Sequence, residues 1–275
     1  MLGWLLIALV AGSGCAAPAP REPTFRDELN SPDGLAVCIS PLGAPAASQV
    51  DGQLEGYNVE FARGLADRLV LTVNVVETPF VDLLDQVEDG ACDLSVSSQN
   101  ITAGRLERVA FVPYTRSQQR VLVAHGNPRM VETMEDLCGL MVSTTAGSIF
   151  GDMIEGSGDF NGTGLSQACI AQGHLPIEVH KFDEAQVAVE ALLDGTVTAY
   201  LGNSNYVFQY PERLVQSPAT VPAARQGIGL ALDRPLLRAA IEGALGELIE
   251  DGTYRQILFD ALGDEELVRR GSIEP

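Results

Sequence analysis

Positive charge is scarce in this chain. Its 275 residues carry 37 Asp and Glu against 17 Lys and Arg, a formal net charge of −20. That imbalance argues against nucleic acid and against anionic membrane surfaces as partners. It fits a soluble or salt-adapted surface. There is no C-x-x-C pair, and the three histidines (His125, His174, His180) are scattered, so no metal-ligand spacing arises. Neither a metal nor another cofactor is expected. No apolar run reaches the ~20 residues that a spanning helix requires. No internal repeat of fixed period is present. The Gly-rich "EGSGDFNGTG" (155–164) lacks the spacing and the lysine of a phosphate-cradling loop and reads as a surface insertion.

What is present is enough to fold. Hydrophobic residues make up 46% of the chain, and its length suits one large domain or two small ones. The chain opens "MLGWLLIALVAGSGCAAPAPREP", with residues 2–11 mostly apolar and small residues after them. That pattern fits an export signal over 1–15. "GSGC", ending at Cys15, resembles the lipobox of bacterial lipoproteins, which implies a lipidated Cys15 as the mature N-terminus. It departs from that pattern in having no basic residue before the apolar run and Gly12 where leucine is usual. An ordinary signal with an incidental cysteine is the alternative. Pro18, Pro20 and Pro23 make 16–33 a tether. Beyond Cys15 the even set Cys38, Cys92, Cys138 and Cys169 remains, either as disulfides in an oxidising compartment or as four buried thiols.

The pattern of elements is α/β. "LAVCIS" (35–40) reads as a buried strand. Tyr57, Phe61, Leu65 and Leu69 recur at four-residue spacing, one face of a helix. "VLTVNVVE" (70–77) is β-branched and alternating, hence strand. Pro79 and Gly90 punctuate a further helix. "CDLSVSS" is strand again. This βαβαβ run implies a parallel sheet with ligand sites at the C-terminal strand ends, where Ser97, Ser98 and Asn100 lie. After the strand 120–125 a second cycle follows: "LMVSTT", a helix from about Gly147, "IEVHKF", "EAQVAVEALLDG" and "VTAYLG". "IGLAL" (228–232) is a last strand. A helix with Leu237, Ile241, Ala244, Leu245 and Leu248 on one face follows it. "TYRQ" (253–256) fits a capping box opening the final helix. The simplest packing returns this last strand and its helices to the first unit. That gives two doubly wound α/β lobes with a cleft between them: 34–122 plus 218–275 as lobe 1, and 123–217 as lobe 2.

Five segments, in order, carry a resemblance. "GYNVEFARGLADRL" (56–69), "GACDLSVSSQNITAGRLERVAF", "EDLCGL", "EALLDGTVTAY" and "DGTYRQI" resemble the motifs of the family 3 extracellular solute-binding proteins. These are amino-acid receptors of bacterial ABC importers. Departures are Asn58 for the usual acid, Thr198 for the usual Asp, and "FVPY" (111–114) one residue short. The resemblance implies a flytrap of two lobes that close on a small carboxylated solute. It also implies delivery to an inner-membrane ABC permease by a periplasmic or otherwise extracytoplasmic monomer. A Cys138–Cys169 disulfide is implied as well. Cys38 and Cys92 fall on strands expected to be neighbours, and their bonding stays open.

The resemblance also implies a site. Arg105 stands where the family's arginine grips the ligand carboxylate, and a planar guanidinium offers paired donors matched to that group. Without the family it is equally a surface arginine on a helix beginning at Thr102. Gly147, Ser148 and Ile149 stand where the family usually has Gly-Thr-Thr, so one hydroxyl is lost while the free N–H groups of the helix start remain to attract an anion; with Asn100, Ser148 and Ile149 are the further expected carboxylate contacts, the alternative being a plain helix start. Ser97 and Ser98 are expected to meet the ligand's polar or ammonium group, or else to serve only turn chemistry. Phe80 and Leu42 are the expected side-chain walls, with no aromatic sandwich because Leu42, Gly43 and Ala44 occupy the usual aromatic position. Asn203 stands where the family commonly has an Asp for the ligand's ammonium. An amide cannot neutralise that charge, so either another acid, Asp183 or Glu184, compensates, or the ligand is not a standard α-amino acid. The rival readings are an enzyme on the same fold, dehydrating a cyclic carboxylate with Glu184 as general acid, and an orphan sensor.

Overall fold

A computed structural model describes residues 21–273 apart from 118 and 161. The signal segment 1–15, Cys15, Pro18 and Pro20 lie outside the described residues.

The chain starts as β1 (Gly34–Ile39), then a hairpin of β2 (Ser48–Val50) and β3 (Gln53–Glu55). It continues through α1 (Tyr57–Arg68), β4 (Thr72–Glu77), α2 (Leu83–Glu88), β5 (Leu94–Asn100), α3 (Ala103–Arg108) and β6 (Val109–Arg116). It then crosses to β7 (Arg120–Ala124), β8 (Met141–Thr145), α4 (Ile149–Glu155), α5 (Leu165–Ala171), β9 (Glu178–Phe182), α6 (Ala185–Leu193), β10 (Ala199–Gly202), α7 (Tyr206–Gln209) and β11 (Leu214–Thr220). It returns as β12 (Arg225–Ala231), α8 (Pro235–Glu250), α9 (Thr253–Leu262) and α10 (Glu265–Gly271).

Two five-stranded sheets result. The first runs β4-β1-β5-β12-β6 and the second β11-β7-β10-β8-β9. In the first, β1 is parallel to β4 and β5, while β12 inserts antiparallel between β5 and β6. In the second, β8 is parallel to β9 and β10, and β7 runs antiparallel to β10 and β11. The fold is therefore two-lobed α/β.

Period-two alternation assigns the faces. In β7, Val121 and Val123 pack with Phe150, Ile154 and Cys169 on one side of the second sheet. Leu122, between them, packs with Ala188, Val189 and Leu192 of α6 on the other. The four-residue stripe of α1 behaves as its spacing predicts: Phe61 and Leu65 are fully buried. Phe61 meets Tyr114 edge-on at 5.3 Å, and Tyr254 at the same centroid distance.

Several expectations are corrected. The lobe boundaries at 122/123 and 217/218 fall inside β7 and β11, both hydrogen-bonded into the second sheet. The two crossings lie instead at 117–119 and 221–224. There the strands bond to each other: Ser117 N–H donates to the Ala224 carbonyl (2.8 Å), and Ala224 N–H donates to Ser117 Oγ (2.7 Å). The segment 16–33 is not all tether, because its described part is docked. A 3-10 turn (Phe25–Glu28) anchors it, Arg26 donates to the Leu69 carbonyl, and Leu237 N–H donates to Glu28. Buried Asp93 fastens it further, accepting from Asn30 N–H, Ala36 N–H and Arg234 Nη1. The capping box at Thr253 is absent, because Thr253 is already inside α9 and Gly252 stands at the cap without a side-chain bond. α10 follows α9, so α9 is not the final helix.

Both disulfides are formed, Cys38–Cys92 with Cα atoms 5.8 Å apart and Cys138–Cys169 at 5.6 Å. Each closes a loop of tens of residues (separations 54 and 31), for which chain entropy gives ~3–4 kcal/mol. Reduction of either bond, or paired Cys→Ser replacement, is therefore expected to lower Tm by about 10 °C for a protein of this size. Scanning calorimetry with and without reductant reads it.

Candidate functional site

The C-terminal ends of β5, β8 and β10 face one another across the lobes. Between them lies a cavity enclosing about 800 Å³ of empty space, part of it open to solvent. Arg105 sits in its wall, and its position follows from local structure. Thr102 caps α3 by accepting Arg105 N–H at 3.2 Å, which turns the guanidinium back over the end of β5.

Arg105 is 3% exposed, and its guanidinium is held by acceptors from both lobes. Nη1 donates to the Asn100 carbonyl (3.0 Å), Nη2 to the Gly147 carbonyl (2.9 Å) and Nε to Asp159 Oδ2 (2.9 Å). Its Cζ stands 5.9 Å from the centre of the Phe80 ring. Burial pulls the Arg105 pKa below its ordinary value, and Asp159 opposes that shift. A guanidinium has five N–H donors. With three engaged, one N–H remains on each terminal nitrogen for an anion in the cavity.

The expected site residues separate into those the cavity gathers and those it does not. Phe80, Leu42, Ser98, Asn100, Ser148, Ile149 and Asn203 line it with Arg105. Ser98 is held at φ +51 with its N–H on Tyr114 Oη and its carbonyl accepting from Gln226. Its hydroxyl lies 3.0 Å from Tyr57 Oη. The Ser148 hydroxyl donates to the Thr145 carbonyl at 2.6 Å, so it is already engaged within its own lobe. Asn100 Oδ1 is buried and has no hydrogen-bond partner among the described residues.

Two expected residues are displaced. Ser97 is fully buried behind the cavity, its Oγ accepting from Ser40 N–H at 2.7 Å, because strand alternation points it away from Ser98. Asp183 is exposed and outside the lining, as is Glu184, which occupies the N-cap of α6. Asn203 reaches across the lobes: Nδ2 donates to the Leu42 carbonyl (3.3 Å) and Oδ1 accepts from Asn205 N–H (3.1 Å).

The sequence reading missed other parts of the wall. Tyr57, read as a core position, is buried yet presents its hydroxyl to Ser98, and burial raises its pKa. Tyr200 lines the cavity with its pKa pushed up to about 12 by burial. Gln119, Asn205 and Gln226 add carboxamides, with no motif to announce them. Near Gly43, outside the cavity lining, the facing lobe packs an aromatic ring. An added Cβ at Gly43 would lie 2.3 Å from the Tyr206 ring, so that ring fills the space a side chain would take. "EGSGDFNGTG" is not merely a surface insertion, because it delivers Asp159 to Arg105.

The two sheets and the cleft between their strand ends define a two-lobed solute-binding protein of the periplasmic type. Residues 35–262 match the family described as bacterial extracellular solute-binding proteins, family 3, and the chain belongs to that family. It is 26% identical over 237 residues to the glutamate-binding protein GluB of Corynebacterium glutamicum, covering 79% of this chain and 74% of that one. It is 25% identical over 264 residues to the L-cystine-binding protein TcyJ of Escherichia coli, covering 94% and 92%. Its fold matches an ancestral amino acid-binding protein, a precursor of cyclohexadienyl dehydratase, with TM-score 0.71 at 21% identity, covering 87% and 99%. The named curated relatives are binding proteins, not enzymes.

The lobes also meet closely at glycines. Gly147 adopts φ +71, and an added Cβ would lie 2.7 Å from Val81 Cα in the facing lobe. Gly43→Ala and Gly147→Ala are each expected to block full closure. Ligand affinity should fall tenfold or more with circular dichroism unchanged, and small-angle scattering should show no compaction on ligand addition.

Proposed function

We propose that this protein is an extracytoplasmic receptor that captures a small carboxylated solute, of the amino-acid or amino-acid-derivative class, and presents the closed form to an ABC permease. The buried Arg105 guanidinium carries this reading. Its protein acceptors come from both lobes, and it keeps donors for a carboxylate that would bridge them. Such a ligand stabilises the closed state by contacts available only there. The chain acts as a monomer in this scheme and needs no cofactor. It performs no chemistry: Glu184, which a dehydratase reading would need as general acid, stands outside the cavity. The N-terminal signal ends at Cys15, which is lipidated and tethers the receptor at the membrane.

Thermal-shift screening of amino acids, acylated and hydroxylated derivatives, and simple organic acids tests the reading. At least one carboxylate should raise Tm, and stabilisation by none of them would refute it. Arg105→Lys should weaken the hit by tens of fold, since a charged hydrogen-bonded pair contributes ~1.5–3 kcal/mol and an ammonium lacks the paired geometry. Mass spectrometry of the mature N-terminus should find diacylglycerol on Cys15, whereas cleavage beyond Cys15 would exclude the anchor.

A further inference from the structure

The cavity's charges are one-sided. Among the described residues its charged lining is Arg105 and Arg116, and no carboxylate belongs to it. Arg116 pairs with no described acid. The carboxylate nearest the Arg105 guanidinium, Asp159, is bound to Nε and is not part of the lining. Asn203, where an acid would be expected, already uses its Nδ2 on Leu42 and its Oδ1 on Asn205. The other polar groups facing the cavity are neutral carboxamides and hydroxyls. Asn100 belongs to the lining as a residue, while its Oδ1 is buried out of reach of solvent.

An ammonium placed here would be desolvated beside the buried Arg105 guanidinium, and no carboxylate among the described lining residues would offer it a counter-charge. A carboxamide oxygen can accept its hydrogen bond but cannot neutralise it. A neutral N–H or O–H meets no such penalty, because the carboxamide and hydroxyl oxygens of the lining can accept its hydrogen bond without having to neutralise a charge. We infer that the solute carries a carboxylate for Arg105 but no free ammonium and no cationic side chain. In place of the amine it presents a neutral donor, an acylated amine or a hydroxyl. This inference rests on the receptor reading of the cleft given above.

The test uses matched triads that differ only at the amine, with the wild-type chain and titration calorimetry. Suitable triads are L-glutamate, N-acetyl-L-glutamate and 2-hydroxyglutarate; the leucine triad with N-acetyl-L-leucine and 2-hydroxy-4-methylpentanoate; and the phenylalanine triad with N-acetyl-L-phenylalanine and phenyllactate. In whichever triad binds, the acylated or hydroxy member should bind at least about tenfold tighter than its amino acid. An amino acid that binds as tightly as, or more tightly than, both neutral counterparts overturns the inference and leaves the receptor reading standing. Binding by no member of any triad, together with no hit in the broader screen, overturns the receptor reading and the inference with it.

Discussion

A single buried guanidinium organises the space between the lobes. Moving Arg105 out of water is costly, and the structure offsets that cost with acceptors drawn from three segments of chain. The Asn100 carbonyl belongs to the same lobe as Arg105, while the Gly147 carbonyl and the Asp159 carboxylate come from the other. Separating the lobes would strip the cation of the one carboxylate paired with it among the described residues, and of one carbonyl. The bonds that bury the cation thus already span the two lobes. The Gly-rich loop 155–164 matters for this reason, since it carries the charge that keeps the cation buried.

The architecture was legible because each lobe repeats strand and helix patterns that local chemistry dictates. Val, Ile and Leu runs gave β1, β4 and β5, and the Phe61–Leu65 stripe gave α1. The elements that escaped were those whose identity comes from distant partners. β6 carries a proline and a tyrosine within "FVPYTR", and is a strand because β12 zips along it from Val109 to Arg116. The 3-10 turn (Phe25–Glu28) follows a proline-rich stretch and is held by Asp93 and α8, far away in sequence.

The site was legible only in part, for the same reason. Arg105, Phe80 and Asn203 could be expected in the cavity wall because motif order fixed their places in the chain. Tyr57 looked like one more core position, and nothing local distinguishes a buried tyrosine that faces a cavity from one that does not. Ser97 and Ser98 looked equivalent, but alternation along β5 sends one behind the sheet and the other, at positive φ, into the cleft. Asp183 follows a second-lobe strand as a ligand-binding acid would, yet its place is on the surface just before a helix. Asp159 could not have been read at all, because its meaning depends on a loop reaching another lobe.

Glycine and tyrosine exchange roles across the cleft. Gly43 leaves a gap in one wall, and Tyr206 closes it from the facing lobe. The Tyr206 ring is fully buried in that gap and outside the cavity lining, so the contact locks the two lobes to each other.

The two crossing segments are stitched to each other through Ser117 and Ala224 as well as continuing into both sheets. A paired spine of this kind would confine any parting of the lobes to a turn about one line, and such a turn would pull the Gly147 carbonyl and Asp159 away from Arg105 together.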